Sequence, residues 1–432
     1  MTARATALPP LGPPRAFVPP PCTDTVLGTG LRLVTVRSKT VPLAEIRMLA
    51  PLPAHAVDPA TADVLAGLTA QECTREVTAG VDEDPRREGT LVSVTWTGTW
   101  LALNASVPAT AAPWALRLLA RVLARPRLTE EACTAAARSL AARAPGRLAH
   151  PRTAAHAALY AHAYPGCRER HPGPDALLAV TAAEVTALHA AHVHPRGAYA
   201  VVVAPDDLAE EASRAYALWT GTGTRPAAPP PAPPPAGHGI RAVPWGGDAT
   251  TAQVLLAAPA PDRTDPSFAA LSLTNCLFGG YFSSRLMREL RENEGLAYQI
   301  ESTIDDSFPR PSVLISYATA PENVSRSLRA VTRELRDLTS RPPGAAEIDA
   351  ARAHMTGLTW IGQTSQSGLA SAYAGVLGHG LDPGWLTTFP ELLRQVTPAQ
   401  VAQAAAAHYG PHRFTGVALG APPGARAEYA LE

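Results

Sequence analysis

The chain has 432 residues, 37 Lys and Arg against 37 Asp and Glu, a formal net charge of zero, and a 46% hydrophobic content. At about 100–200 residues per domain this length holds two to four domains with ample core. The balanced charge argues against a basic surface built for nucleic acid, and no window approaches the roughly 18 uninterrupted apolar residues of a membrane span. The five cysteines, Cys22, Cys73, Cys133, Cys167 and Cys276, are scattered and form no CxxC pair. They provide neither a disulfide framework nor a thiolate zinc site. The first residues, MTARATALPPLGPPR, carry prolines where a signal peptide carries an apolar run, so the chain reads as cytoplasmic.

In chain order, LRLVTVR (31–37) and PLAEIRML (42–49) read as a hairpin. An Asp-Pro turn and an Ala/Leu-rich helix follow within 46–70. TLVSVTWTGTWLALNAS (90–106) alternates well enough for two strands. Helical apolar spacing marks 109–124, and 128–144 starts a helix with Thr129 and two acidic residues. VTAAEVTALHAAH (180–192) is a further helix, and AYAVVVA (198–204) a strand. RPAAPPPAPPPAGHG (225–239) is then an extended spacer, because proline fixes φ and donates no backbone hydrogen bond.

The second half repeats the scheme. An apolar strand, Asp-Pro and a helix recur at 254–277, a strand at 311–321 and a helix at 323–340. VTPAQVAQAAAAH (396–408) precedes the strand FTGVALG (414–420). Val180 and Val396, Thr181 and Thr397, Val185 and Val401, and His192 and His408 all lie 216 residues apart, which points to a duplication. The expected organisation is an N-terminal domain (1–224), a Pro-rich linker (225–239) and a homologous C-terminal domain (240–432). Each is of α+β type, a mixed sheet with helices packed on one face.

The most informative stretch is FGGYFSSRLMRELRENEGLAYQIESTI (278–304). It reads as a glycine-flanked helix start with an apolar face at Leu286, Met287 and Leu290. An Asn-Glu-Gly stop at Gly295 then leads straight into a strand. Arg291 falls in the last helical turn and Tyr298 near the strand start, so the two can converge. Strand alternation also groups Tyr298 with Leu296 and Ile300, as a core tyrosine would require. Other candidates carry less. His189, His192 and His194 read as histidines near a helix end, and Asp82, Glu83 and Asp84 as a charged loop. GTGTR (221–225) lacks the strand and helix of a phosphate loop, and 362–368 misses the GxSxG spacing.

The 278–304 segment resembles the signature of the C-terminal domain in the insulinase/pitrilysin-like zinc peptidase family. The matching residues are Gly279, Gly280, Ser284, Arg285, Leu286, Arg291, Glu292, Gly295, Leu296, Ala297 and Tyr298. The resemblance implies a clam-shell half of two related domains. It also implies, in the active members, an HxxEH zinc motif on the first helix of the N-terminal half, completed by a glutamate on a later helix. Here Gly67 and Gln71 stand at the histidine positions and Ala70 at the glutamate, and 132–144 contains no glutamate. The resemblance therefore implies a zinc-free, non-catalytic subunit of a two-subunit bacterial member, with no catalytic residue or cofactor of its own. Zinc is expected in an HxxEH-bearing partner of similar size. Arg291 and Tyr298 would bind the substrate, an extended peptide such as a leader peptide. The rival reading is a scaffold subunit with no peptidase role, and in neither is nucleic acid or membrane a partner.

Overall fold

The computed structural model describes residues 18–84, 87–167, 171–221, 235, 237–246, 250–421 and 428–429. Most of the proline-rich segment 225–239 lies outside them, as do residues 1–17. Two six-stranded sheets form the frame. The first half supplies β1 (Cys22–Val26), β2 (Arg32–Arg37), β3 (Leu43–Pro51), β4 (Leu91–Trp96), β5 (Trp100–Pro108) and β6 (Tyr199–Ala204). The second supplies β7 (Ile240–Val243), β8 (Ala252–Pro259), β9 (Ile300–Asp305), β10 (Ser312–Thr319), β11 (Thr415–Leu419) and β12 (Glu428–Tyr429).

The strand orders are β1-β2-β6-β3-β5-β4 and β12-β7-β11-β8-β10-β9. Omitting the outermost β1 and β12, the two orders are the same. In each sheet the last long strand of its half enters between the first two. β6 runs parallel to β2 and antiparallel to β3, and β11 does the same between β7 and β8. The expected 31–37/42–49 hairpin is therefore absent. β2 pairs with β1 and β6 instead, because the wholly buried YAVVVA of β6 needs a neighbour on each side and a helix layer on each face.

The first half adds helices α1 (Pro59–Glu83), α2 (Ala112–Ala124), α3 (Glu130–Leu148), α4 (Pro151–Ala163), α5 (Pro174–Leu178), α6 (Ala182–His192) and α7 (Ala209–Tyr216). Asp58 caps α1 by accepting the Thr61 N–H at 2.9 Å, with Pro59 at the first helical position. Asp82 and Glu83 continue α1 rather than forming a charged loop, and α3 runs through Pro145 to Leu148. The second half adds α8 (Phe268–Asn275), α9 (Val324–Ser340), α10 (Ala345–Gly362), α11 (Gln366–Gly378), α12 (Trp385–Gln395) and α13 (Pro398–His408). α6 and α13 open with the same capping box, Thr181 with Glu184 and Thr397 with Gln400.

The helices are not confined to one face. Ile46, Met48, Leu101, Leu103 and Val202 of the first sheet pack under that half's own helices. The opposite face, with Val34, Val36, Val201 and Val203, is covered by Leu369, Tyr373 and Leu377 of α11 from the second half. Reciprocally, Ala155, Leu159 and Tyr164, on and just after α4 of the first half, cover Leu255, Leu314, Val417 and Leu419 of the second sheet. Both sheets thus become three-layered by exchange of one helix. Strands apolar on both faces leave no other way to keep their backs from water.

Candidate functional site

The segment after β8 builds the candidate site. α8 widens into a π-helical turn at Cys276–Gly280, and a second π-helical stretch spans Met287–Asn293. The expected simple helix start is thus two pieces: the first ends at Tyr281, whose backbone is extended, and helix resumes at Arg285; π-helical turns like these are frequent at functional sites. A side chain at Gly279 is excluded: its Cβ would lie 2.7 Å from Ser302 Cβ and 2.9 Å from Ser302 N. Glycine lets the helix touch β9 directly. Buried Asn275 locks that contact. Its Oδ1 accepts from Ser302 Oγ (2.6 Å) and the Tyr409 hydroxyl (3.1 Å), and its Nδ2 donates to the Ser302 carbonyl (2.8 Å).

The charged residues of the motif divide into two groups. Arg285 forms a two-pronged pair with Glu347 of α10 at 2.7 and 2.9 Å. Glu289 and Glu294 each accept from Arg333 of α9 at 2.6 Å, and Glu294 also from Arg326 at 2.9 Å. These pairs fasten the segment to its helical neighbours. Among the described residues no carboxylate pairs with Arg291. Its guanidinium instead lies over the Tyr298 ring at 4.6 Å and the Phe282 ring at 5.1 Å. Both rings face outward, Tyr298 at 80% and Phe282 at 59% exposure.

Tyr298 is therefore not a core residue, although Leu296 and Ile300 beside it are buried. Alternation fails because 296–299 is not yet strand. Gly295 turns the chain at φ +63°, the Leu296 and Ala297 N–H groups both return to the Leu290 carbonyl, and β9 begins only at Ile300. The bend at Tyr298 turns its ring outward beside Arg291. Phe282 was not singled out from sequence; its only signal is an aromatic residue just after the glycine pair.

Gly67, Ala70 and Gln71 lie together on α1, where two residues lack a donor and the third is a neutral amide. α3 packs against this helix, and a Cβ at Gly67 would meet Leu140 Cδ1 at 3.0 Å. An apolar side chain thus occupies the space facing a ligand position. These residues do not fit zinc, and among the described residues no cluster of three or more His, Cys, Asp or Glu could hold a metal. His189 places Nε2 2.8 Å from the Leu123 carbonyl, and burial pushes its pKa below the usual histidine value. Burial also lowers His192 and His194, helped by His55 and His192 respectively. Residues 362–368 span the end of α10, a three-residue connection and the start of α11, and of GTGTR only Gly221 is described.

Residues 179–355 match the family model described as the peptidase M16 inactive domain. That stretch, which carries Arg291 and Tyr298, is similar to the inactive domain of the M16 (insulinase-like) peptidases. An uncharacterized zinc protease of Mycobacterium tuberculosis is 28% identical over 201 residues, 46% of this chain and 45% of that protein. One from Mycobacterium leprae is 28% identical over 155 residues, 36% of this chain and 35% of that protein. The matched part is thus less than half the length of these relatives. The peptidase M16 inactive domain from Pseudomonas fluorescens superposes with a TM-score of 0.81 at 19% identity, covering 93% of this chain and 98% of that one. A protease from Helicobacter pylori gives 0.81 at 18% identity over 94% and 100% of the two chains. A chain of complex III2 from Candida albicans gives 0.75 at 14% over 92% and 95%. The fold is shared across all three. Among the described residues no helix is long and apolar enough to cross a membrane.

Proposed function

We propose that this chain is the zinc-free subunit of a two-chain peptidase, supplying one half of a closed chamber to an HxxEH-bearing partner of similar size. The observation that carries the reading is the Arg291–Tyr298 pair: a guanidinium with no carboxylate partner among the described residues, held against an exposed phenol ring in a stretch similar to the M16 inactive domain. A motif serving only to pack its helix would spend this arginine on a neighbouring acid, as Arg285 does on Glu347. Guanidinium and phenol are strong donors with fixed directions. Aimed at a peptide carbonyl, they favour the state in which its oxygen gains negative charge. Zinc held by the partner's HxxEH residues would supply the activated water. The substrate is an extended peptide, for which leader peptides are a fitting class. It pairs with the open edge strand β4, whose Leu91 is exposed.

The test mixes this chain with its HxxEH partner and measures peptide cleavage. Arg291→Ala and Tyr298→Phe should each lower turnover by about 10²–10³ while the complex stays assembled, since donors of this kind act mainly on the transition state. Tyr298→Phe keeps the ring under Arg291 and removes only the hydroxyl. Full activity in both variants would refute the reading and leave the scaffold role.

A further inference from the structure

We propose that Phe282 is a positioning residue for Arg291: its ring fixes the guanidinium by the face and so leaves the N–H donors free for a substrate carbonyl. The Arg291 Cζ lies 5.1 Å from the Phe282 ring centroid and 4.6 Å from that of Tyr298. Among the described residues the guanidinium forms no hydrogen bond or ion pair, so these two rings are its hold. The acids nearest to it in the chain are engaged elsewhere. Glu294, three residues on and the helical neighbour best placed for Arg291, accepts from Arg326 at 2.9 Å and Arg333 at 2.6 Å. Glu289 accepts from Arg333 at 2.6 Å and Asn293 at 2.8 Å. A carboxylate would occupy part of the guanidinium's donor set and offset its charge. An aromatic face attracts the same cation without accepting from its in-plane N–H groups.

Local structure suits Phe282 to this task and to little else. The π-helical turn Cys276–Gly280 ends at Tyr281, whose backbone is extended, and the Ser284 N–H returns to the Tyr281 carbonyl at 3.1 Å. Phe282 sits in the turn so formed, between two anchored residues. Tyr281 packs on His354 of α10 with ring centroids 5.0 Å apart, and Ser284 is buried. Phe282 itself is largely exposed and, among the described residues, belongs to no buried cluster. Its ring thus adds little to the core, and the partner it does have is Arg291. Tyr298 shares the hold but has a hydroxyl to give to the substrate; Phe282, with no polar atom on its side chain, can only hold. Closure of a chamber over the pair would strip water from the contact and strengthen it. The catalytic consequence rests on the two-chain peptidase reading; the hold itself does not.

Nuclear magnetic resonance of the whole chain, carrying nitrogen-15 arginine, tests the hold. The Nε–Hε signal of Arg291, identified by its loss in Arg291→Lys, should carry a ring-current shift that shrinks in Phe282→Leu and persists in Phe282→Tyr. Peptide cleavage in the mixture with the HxxEH partner tests the consequence. Phe282→Leu should lower kcat by roughly 5- to 30-fold, the range a cation–π contact supports between an exposed and a water-excluded site. KM should change little, because the donors act mainly on the transition state. Phe282→Tyr, which restores a π face, should recover most of the loss. An Arg291 signal unmoved in Phe282→Leu would overturn the proposal, as would full turnover in that variant while Arg291→Ala is slow. A raised KM at unchanged kcat would make Phe282 a substrate contact and overturn it too. Full turnover in both Phe282→Leu and Arg291→Ala would refute the peptidase reading and with it the catalytic role of Phe282, and the ring-current shift would still decide the hold.

Discussion

Replacing Gly67 with histidine restores one position of the HxxEH pattern and brings it against the helix that faces it. A Cβ at this position already meets Leu140 Cδ1 at 3.0 Å and Cγ at 3.5 Å. Gly67→Ala needs only a small shift of half-buried Leu140, and gains about 0.5–1 kcal/mol from the stiffer helix backbone. It should be close to neutral. An imidazole must displace the leucine altogether, and overpacking of this kind costs about 1–3 kcal/mol. With the two halves tied by their exchanged helices, the whole chain is the melting unit, and that lowers Tm by roughly 1–3 °C. Calorimetric melts of Gly67→Ala, Gly67→His, Leu140→Ala and Gly67→His/Leu140→Ala give the coupling directly. The double variant should be more stable than the two single costs predict, by about 1 kcal/mol or more. Zinc analysis after dialysis extends the test. Gly67→His/Ala70→Glu/Gln71→His should retain well under one equivalent, because Leu140 occupies the space and residues 132–144 offer no carboxylate. Simple additivity in the cycle, or near-stoichiometric zinc in the triple variant with an unchanged Tm, would refute the reasoning.

Thr181→Ala and Thr397→Ala each remove a complete capping box and should each cost about 0.5–2 kcal/mol in thermal melts. Asn275→Ala leaves the Ser302 and Tyr409 groups at the base of the site with a lost partner. A cost of about 1–3 kcal/mol is expected, visible as a lower Tm. Burial holds His189, His192, His194, His379 and His408 below the usual histidine pKa. The unfolded chain therefore takes up protons first. The associated stability is complete above the unfolded value of about 6.5 and is lost as pH falls through the lower folded values. Glu76 and Asp265, whose pKa values hydrogen bonds depress, keep their contribution until pH falls into the carboxylate range. Tm should drop between about pH 7.5 and about pH 6, less so in His189→Gln; a flat profile would count against buried neutral histidines.

Local pattern alone carried much of this protein. Apolar periodicity and helix-start chemistry located most of the elements, because both depend on neighbours a few residues apart. The 216-residue offset of VTAAEVTALHAAH and VTPAQVAQAAAAH foretold two sheets whose common strands have one order. Arg291 and Tyr298, seven residues apart around Gly295, were close enough for their convergence to be read from the chain itself. The exposure of Tyr298 was not, since alternation assumed strand where a glycine turn and a bend intervene. Other features lay wholly beyond local reading: β6 between β2 and β3, the crossed cover of α4 and α11, and Leu140 over Gly67. Periodicity tells which face of a strand or helix must leave water and never against what. Hydrophobic attraction has no direction, so the choice among distant apolar faces belongs to the assembled chain, through shape, register and the loops that let each face reach another.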